Sequence, residues 1–526
     1  MKVSEYIRKQ QKVGFFKTYL SGAIRAAVIA FLLLFQFGIV FGLSYWIYTG
    51  FYVYYGILIL SVFVIIGLVN KRTNSSFKIG WLVIITLIPV AGLMMYVLWG
   101  ANRSNRIKKR NLRHIEYSYR FLNECEDVKE SFGDKASNRY KMVEYMEKNH
   151  FKLFDHNRVN YFSFGKEAFD SIERDMKNAK KFIFIDFFIV ADGVLWQRIR
   201  EILIDRAKHG VEIKFLYDDY GSMFRTKKAL WKELEEHGIE TAEFNPIGKY
   251  LDKLYLNYRS HQKIVVIDGR VGYTGGFNLA DEYTNELERF GVWKDNGIRI
   301  EGEGVYGLTC AFLQMWCMTK EKDIEDYTKY RFDFSEDELS KLDKQCFCQI
   351  VSDGPANNPS NPIADIIMQM IYNSTKYLYI TTPYLLLEDD IENALIIAAQ
   401  SGIDVRIITP GIPDKKMIYH LTRYNYRNLI NNGIRIFEYT PGFIHAKTYI
   451  SDGYGMIGTM NLDFRSLYLH YECGAFVWNK DAIAKIREDL LLTIEECHEV
   501  TAEEFAKRPW YIKCIEPFFN LFSSLM

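Results

Sequence analysis

The chain has 526 residues, a formal net charge of +1 and an aromatic content of 16%. That length exceeds one ordinary domain, and the near-zero charge excludes the basic footprint of a general nucleic-acid binder. The eight cysteines are scattered. Cys346 and Cys348 form the one close pair, which without a second cluster reads as reduced core thiols rather than a zinc site.

Residues 1–100 read as a membrane anchor. Basic residues Lys2, Arg8, Lys9, Lys12 and Lys17 precede three apolar runs, Ala26 to Tyr48, Phe51 to Val69 and Ile79 to Trp99. The first and third are each long enough to cross ~30 Å of hydrocarbon as a helix. The middle one is shorter if Tyr52, Tyr54 and Tyr55 lie at the interface. A cleaved signal peptide does not fit three successive runs of this length. Further positive charge gathers at Lys71, Arg72 and Lys78 and from Arg103 to Arg113. Three full crossings cannot put all three basic clusters in the cytoplasm. Either one segment is re-entrant or interfacial, or one cluster lies outside; the pattern favours a cytoplasmic catalytic part.

A polar, helical connector is expected over 101–150, then a first lobe over 151–325, a linker over 326–362, a second lobe over 363–500 and an aromatic tail over 501–526. The lobes echo each other. Helical stretches near 165–179 and 363–374 precede the strand-like runs KFIFIDFFI (181–189) and KYLYITTPY (376–384). Each is followed by a helix and a glycine-led strand, at Gly210 and Gly402, then by another such pair at Gly238 and Gly433. Alternating strands and helices predict an α/β sheet in each lobe, faced by helices. The linker is charged, then turn-rich (SDGPANNPSNP). The tail carries Trp510, Phe518, Phe519 and Phe522 and suits either the bilayer surface or packing on the lobes.

The duplicated element is the one that carries chemistry. HQKIVVIDGRVGYTGGFNLAD (261–281) places His261, Lys263 and Asp268 ahead of Gly275, Gly276 and Asn278. HAKTYISDGYGMIGTMNLD repeats it with His445, Lys447 and Asp452 at the same offsets, then Gly458, Thr459 and Asn461. A decoy, His150-Phe151-Lys152, lacks the aspartate and the glycines and reads as surface or packing. Within the two sets, His and Lys share one face of a strand, while Asp268 and Asp452 end the strand at D-G turns and read as structural supports. Past each motif an acid, a spacer and a glycine open another strand: Asp295-Asn296-Gly297 and Glu472-Cys473-Gly474. Asp295 and Glu472 are therefore candidates to orient a histidine in each lobe.

Two histidines, two lysines and two asparagines around one point suit a phosphodiester. Lysines supply point charges and asparagine amides directed donors, so no metal or other cofactor is expected. One histidine can attack phosphorus; the other can give a proton to the leaving alcohol and take one from the incoming alcohol. A carboxylate behind each ring fixes its tautomer.

The doubled H-x-K-x₄-D with G-G/T-x-N resembles the phospholipase D superfamily, and the whole arrangement is similar to the bacterial cardiolipin synthases. TNSSFKIGWLVIITLIPVAGLMMYVLWG (73–100), NRVNYFSFGKEAFDSI, ITTPYLLLEDD and MNLDFRSLYLHYE extend the similarity over nearly the whole chain. It implies two phospholipase D-like lobes sharing one active site behind N-terminal transmembrane helices. Of the catalytic signature His261, Lys263, Asp268, His445, Lys447 and Asp452, it implies that the histidines are nucleophile and general acid–base. Lys263, Asn278, Lys447 and Asn461 would bind phosphate. The implied reaction is transfer between two phosphatidylglycerol molecules, giving cardiolipin and glycerol through a phosphohistidine, with membrane lipids as the partners and no nucleic acid. His470 departs from the expected neutral residue beside Glu472. The alternatives are a membrane phospholipase D or phosphatidyltransferase that uses water or another alcohol, a nuclease, and a non-catalytic membrane scaffold. Nothing in the sequence sets the oligomeric state.

Overall fold

In a computed structural model, the structure describes residues 30–31, 34–39, 47–71, 75–100, 105–246, 258–357, 360–520 and 523. The chain forms two compact units: residues 1–105, 247–256 and 514–526, and residues 106–246 and 257–513.

In the first unit, Ile47–Val69 is a 23-residue helix. It contains the one stretch, Tyr52–Val69, that among the described residues is long and apolar enough to cross a membrane. The first expected segment, 26–48, and the basic residues before it lie largely outside the described residues. The third expected crossing is not one continuous helix. It divides into Ser75–Leu87 and Pro89–Met95, followed by a π turn over Tyr96–Gly100. Pro89 cannot continue the preceding ladder, and the chain turns back on itself there. A Cβ on Gly92 would lie 2.6 Å from the Ile84 carbonyl oxygen, and the Tyr96 ring meets Trp81 edge-on at 5.4 Å. The Ala91 N–H, left orphaned near the new helix start, donates to Gln36 Oε1 at 3.0 Å. Length and hydropathy alone read 79–99 as a span because they do not weigh this break.

The second unit holds two sheets. The first has seven strands in the order Asn157–Phe162, Gly297–Gly302, Val271–Gly275, Lys263–Ile267, Phe182–Phe187, Glu212–Asp218 and Glu240–Phe244. The second has ten. Its main path runs Leu153–Phe154, Phe347–Asp353, His470–Trp478, Tyr454–Gly458, Thr448–Ser451, Tyr377–Thr381, Asp404–Pro410, Arg435–Tyr439 and Cys497–Glu499. In both, the strand before the first crossover helix lies antiparallel to the His-x-Lys strand and parallel to the strand after it. The helices between them end as the sequence suggests: Gly210, Gly238, Gly402 and Gly433 all adopt positive φ, which a side chain would resist.

Two features differ from the sequence reading. Phe347–Asp353 lies within the stretch read as a linker, yet it pairs along its whole length with His470–Trp478. Charged and turn-rich neighbours hide its apolar character. The strand that carries Glu472 also starts earlier than expected. Its first residues, His470 and Tyr471, pair in parallel with Arg259 and Ser260, which belong to the other lobe's sequence.

The connector is helical, as Asn105–Asn123, Lys129–Phe132 and Asn138–Lys148. Its Met142, Val143 and Met146 are buried in the core of the second sheet, and Ile115, Phe121 and Leu122 in the core that both sheets share. At the other end, Trp510–Asn520 is a helix whose Trp510, Tyr511 and Ile515 are exposed; Phe522 lies outside the described residues.

Candidate functional site

The two motif histidines enter the site by matching routes. The Arg259–Ser260 strand runs beside His470–Tyr471, and the His261 N–H donates to the Tyr471 carbonyl at 2.8 Å. In the other half, Gly442–Ile444 pairs in parallel with Val292–Lys294, and the His445 N–H donates to the Lys294 carbonyl at 2.7 Å. Each histidine is thus held by the segment that leads into the other lobe's acid.

The carboxylates follow the same exchange. His261 Nδ1 lies 2.9 Å from both oxygens of Glu472, and His445 Nδ1 lies 2.7 Å from Asp295 Oδ2. The sequence placed one acid behind one ring in each lobe; the pairing is crossed between lobes. With Nδ1–H given to a carboxylate, Nε2 carries the free lone pair of each neutral ring. Both acids are fully buried and both rings nearly so.

Each lysine bonds back to its own motif histidine. Lys263 Nζ donates to the His261 carbonyl at 2.6 Å, and Lys447 Nζ donates to the His445 carbonyl. Each ammonium keeps further N–H donors. Burial lowers Lys263 to about 7 and Lys447 to about 8, against the pull of nearby carboxylates. Burial, then Lys447, brings His445 down to about 4 despite Asp295. Burial and Lys263 hold His261 well below its ordinary range. Burial also raises Glu472 to about 8, against Lys263. These surroundings favour uncharged imidazoles. An arriving phosphodiester anion reverses that field and favours a protonated ring.

The asparagines are held in different ways. Asn278 Oδ1 accepts from the Ile189 N–H at 3.1 Å, and its Nδ2 donates to the Tyr283 hydroxyl at 2.7 Å. Asn461 Nδ2 donates to Asp463 at 3.2 Å, while its backbone N–H donates to Ser466 Oγ at 3.1 Å. Each amide nitrogen retains a second hydrogen. The glycines ahead of them allow close packing: a Cβ on Gly276 would fall 2.1 Å from Asp295 Oδ1 and 2.9 Å from the His445 carbonyl oxygen. Thr459, the counterpart of Gly276, instead donates its hydroxyl to Glu472 Oε2.

Asp268 and Asp452 stand apart from this cluster. Asp268 closes its strand at φ 55° and accepts from the backbone N–H groups of Lys180, Lys181 and Phe182 at 2.7–2.9 Å. Asp452 accepts from the Thr375 and Lys376 amides and the Thr375 hydroxyl. Although burial works the other way, those bonds hold Asp452 below the usual carboxylate range. These are turn clasps rather than members of the catalytic cluster: both oxygens of Asp268 and Oδ2 of Asp452 accept from the residues that start the neighbouring strand. Replacing Asp268 with alanine removes three bonds and leaves a side chain at positive φ. A stability loss of about 2 kcal/mol is expected, with activity per folded molecule within a few-fold of the parent. Thermal melts and assays normalised to folded protein check this.

The decoy is a packing element. His150 stacks on Tyr119 at 3.9 Å, and Lys152 reaches Glu147 at 3.7 Å. Sequence reasoning missed Asp186, fully buried, accepting from Ser260 Oγ at 3.1 Å and near enough to Lys263 to feel its charge. Its signal was a lone acid inside the apolar run KFIFIDFFI.

A profile described as cardiolipin synthase, PLD-like domain, matches residues 172–316 and 367–491, one match per lobe. A second, described as phospholipase D-nuclease N-terminal, matches residues 58–100. A protein of Halalkalibacterium halodurans named cardiolipin synthase is 31% identical over 95% of this chain and 99% of its own length. This chain belongs to the cardiolipin synthase family of phospholipase D-like proteins. A Bacillus cereus relative named cardiolipin synthase 2 is 33% identical over 88% of this chain and 89% of its own. Among solved structures, a phosphatidylserine synthase of Haemophilus influenzae superposes with a TM-score of 0.56 at 15% identity. It covers 73% of this chain and 100% of its own, a likeness of fold. The family's two-lobed α/β architecture accounts for the echo seen along the sequence.

Proposed function

We propose that this chain is a cardiolipin synthase that transfers a phosphatidyl group between two phosphatidylglycerol molecules. The observation that carries the proposal is the crossed pair of clasps, in which each motif histidine is oriented by the other lobe's acid. Two oriented imidazoles with two buried lysines beside them suit an in-line displacement in two near mirror-image steps. Nε2 of one histidine attacks the phosphorus of the first lipid. The second, protonated, gives its proton to the departing glycerol oxygen. That histidine then takes a proton from the head-group hydroxyl of the second lipid, whose oxygen displaces the first histidine and restores it. Lys263, Lys447, Asn278 and Asn461 direct N–H groups at the non-bridging oxygens as negative charge develops there.

We also propose that the Pro89 turn is a re-entrant hairpin. With the apolar runs 26–48 and 51–69 as the two crossings and 75–100 returning to the side it left, all three basic clusters face the cytoplasm. The catalytic lobes then follow on that side. This path satisfies the charge pattern that three full crossings could not.

Phosphatidylglycerol labelled in its head group and chains, supplied to purified protein in detergent–lipid micelles with EDTA present, tests the reaction. Labelled cardiolipin with free glycerol is expected. Phosphatidic acid as the sole lipid product would make water the acceptor and overturn the synthase reading.

A further inference from the structure

The two halves of the site differ at the position two residues before the orienting acid. Two residues before Asp295 stands Trp293, whose ring lies 5.6 Å from His445; two residues before Glu472 stands His470, whose ring lies 5.5 Å from His261. His470 is 11% exposed at its side chain, and its Nδ1 is buried with no hydrogen-bond partner. That atom lies 3.8 Å from Glu472 Oε1, while His261 Nδ1 lies 2.9 Å from the same oxygen. The three side chains offer two imidazole nitrogens and one carboxylate oxygen, all within 4.8 Å of one another.

Those are the donors of a three-ligand zinc site with an open fourth position. Ligands about 2.1 Å from a tetrahedral ion stand roughly 3.4 Å apart, and the separations of 2.9 and 3.8 Å bracket that value. Two imidazoles select a borderline ion over Mg²⁺ or Ca²⁺, which prefer all-oxygen shells. The arrangement is confined to one half of the site, since the other half has an indole where this one has an imidazole.

We propose that His261, His470 and Glu472 form an inhibitory site for Zn²⁺ or a similar borderline divalent cation. Coordination replaces the Nδ1–H proton of His261, which leaves to solvent, and takes up the carboxylate that orients the ring. His261 then loses its clasp and its basicity, and transfer stops until the ion is removed. The inhibition readout rests on the two-histidine reaction proposed above; the binding readout does not.

The test uses full-length, chelator-stripped protein in micelles, with Co²⁺ as a spectroscopic probe. Visible d–d absorption saturating at one ion per chain, displaced by Zn²⁺ and not by Mg²⁺, is expected. His445→Ala should keep that band while losing turnover, which separates the metal site from the reaction. In His470→Asn the band should disappear, and half-inhibition by Zn²⁺ should need at least ~10-fold more metal, each variant being referred to its own metal-free rate. A band unchanged in His470→Asn, or equal Zn²⁺ sensitivity in parent and variant, overturns the site. A Co²⁺ band without any metal-free turnover supports the site and counts against the proposed reaction.

Discussion

Alanine at either His261 or His445 should lower phosphatidyl transfer by at least ~10³-fold, with the double variant little worse than either single one. The reason is division of labour. Each half-reaction needs both a nucleophile or leaving group at phosphorus and a proton carrier at the alcohol oxygen. Neither ring can do both jobs, because each is fixed at Nδ1 by a carboxylate of the other lobe. Residual binding by the lysines and asparagines does not restore the chemistry. Both variants should remain folded, since each ring sits on the site's wall and the sheet registers do not depend on it. Initial rates of cardiolipin formation, with circular dichroism as the folding control, decide the matter. A variant retaining a tenth of parental activity would show that its ring is dispensable.

The next largest effects are expected at the orienting acids. Glu472→Gln and Asp295→Asn keep the shape but offer an amide where the ring needs a carboxylate. Losses of about 10²–10⁴-fold are expected, in line with removal of the charge behind a catalytic imidazole elsewhere. The crossing adds a sharper expectation. Glu472→Gln should perturb the ring nitrogens of His261, and Asp295→Asn those of His445, although each pair is more than a hundred residues apart in sequence. Spectra of protein labelled with ¹⁵N-histidine read this directly. If Glu472→Gln moves the His445 resonances and leaves those of His261 in place, the crossed arrangement is wrong. Glu472 also accepts from Thr459, whereas Asp295 accepts from the Asn296 N–H at 2.9 Å. The two halves therefore need not lose equal activity.

Much of this was legible in the chain itself. The repeated His-x-Lys strands, the D-G turns that end them and the glycines opening later strands follow from local pattern and backbone preference. The carboxylates could be named from their matching positions, because an acid, a spacer and a glycine recur after each motif. The crossing could not be read that way. It depends on Arg259–Ser260 pairing with His470–Tyr471 and on Gly442–Ile444 pairing with Val292–Lys294, both short parallel contacts between distant segments. Neither run is long or apolar enough to announce itself as a strand. The Phe347–Asp353 strand was hidden by its charged and turn-rich flanks. Pro89 was visible, but a hydropathy reading of 79–99 does not register one proline among apolar neighbours. Asp186 shows the opposite case, a single acid that marked its own strand as special and was passed over.

The most direct test of the central claim is to trap the covalent intermediate. Protein incubated briefly with phosphatidylglycerol labelled in its phosphate would be quenched in alkali, where phosphohistidine survives, then digested and sequenced by mass spectrometry. Two oriented histidines sharing one phosphoryl site predict label on His261 or His445 in the parent, and none in the variant lacking the modified ring. Label on a different residue, or cardiolipin formed at full rate with no labelled protein at any time, would contradict transfer through a motif histidine.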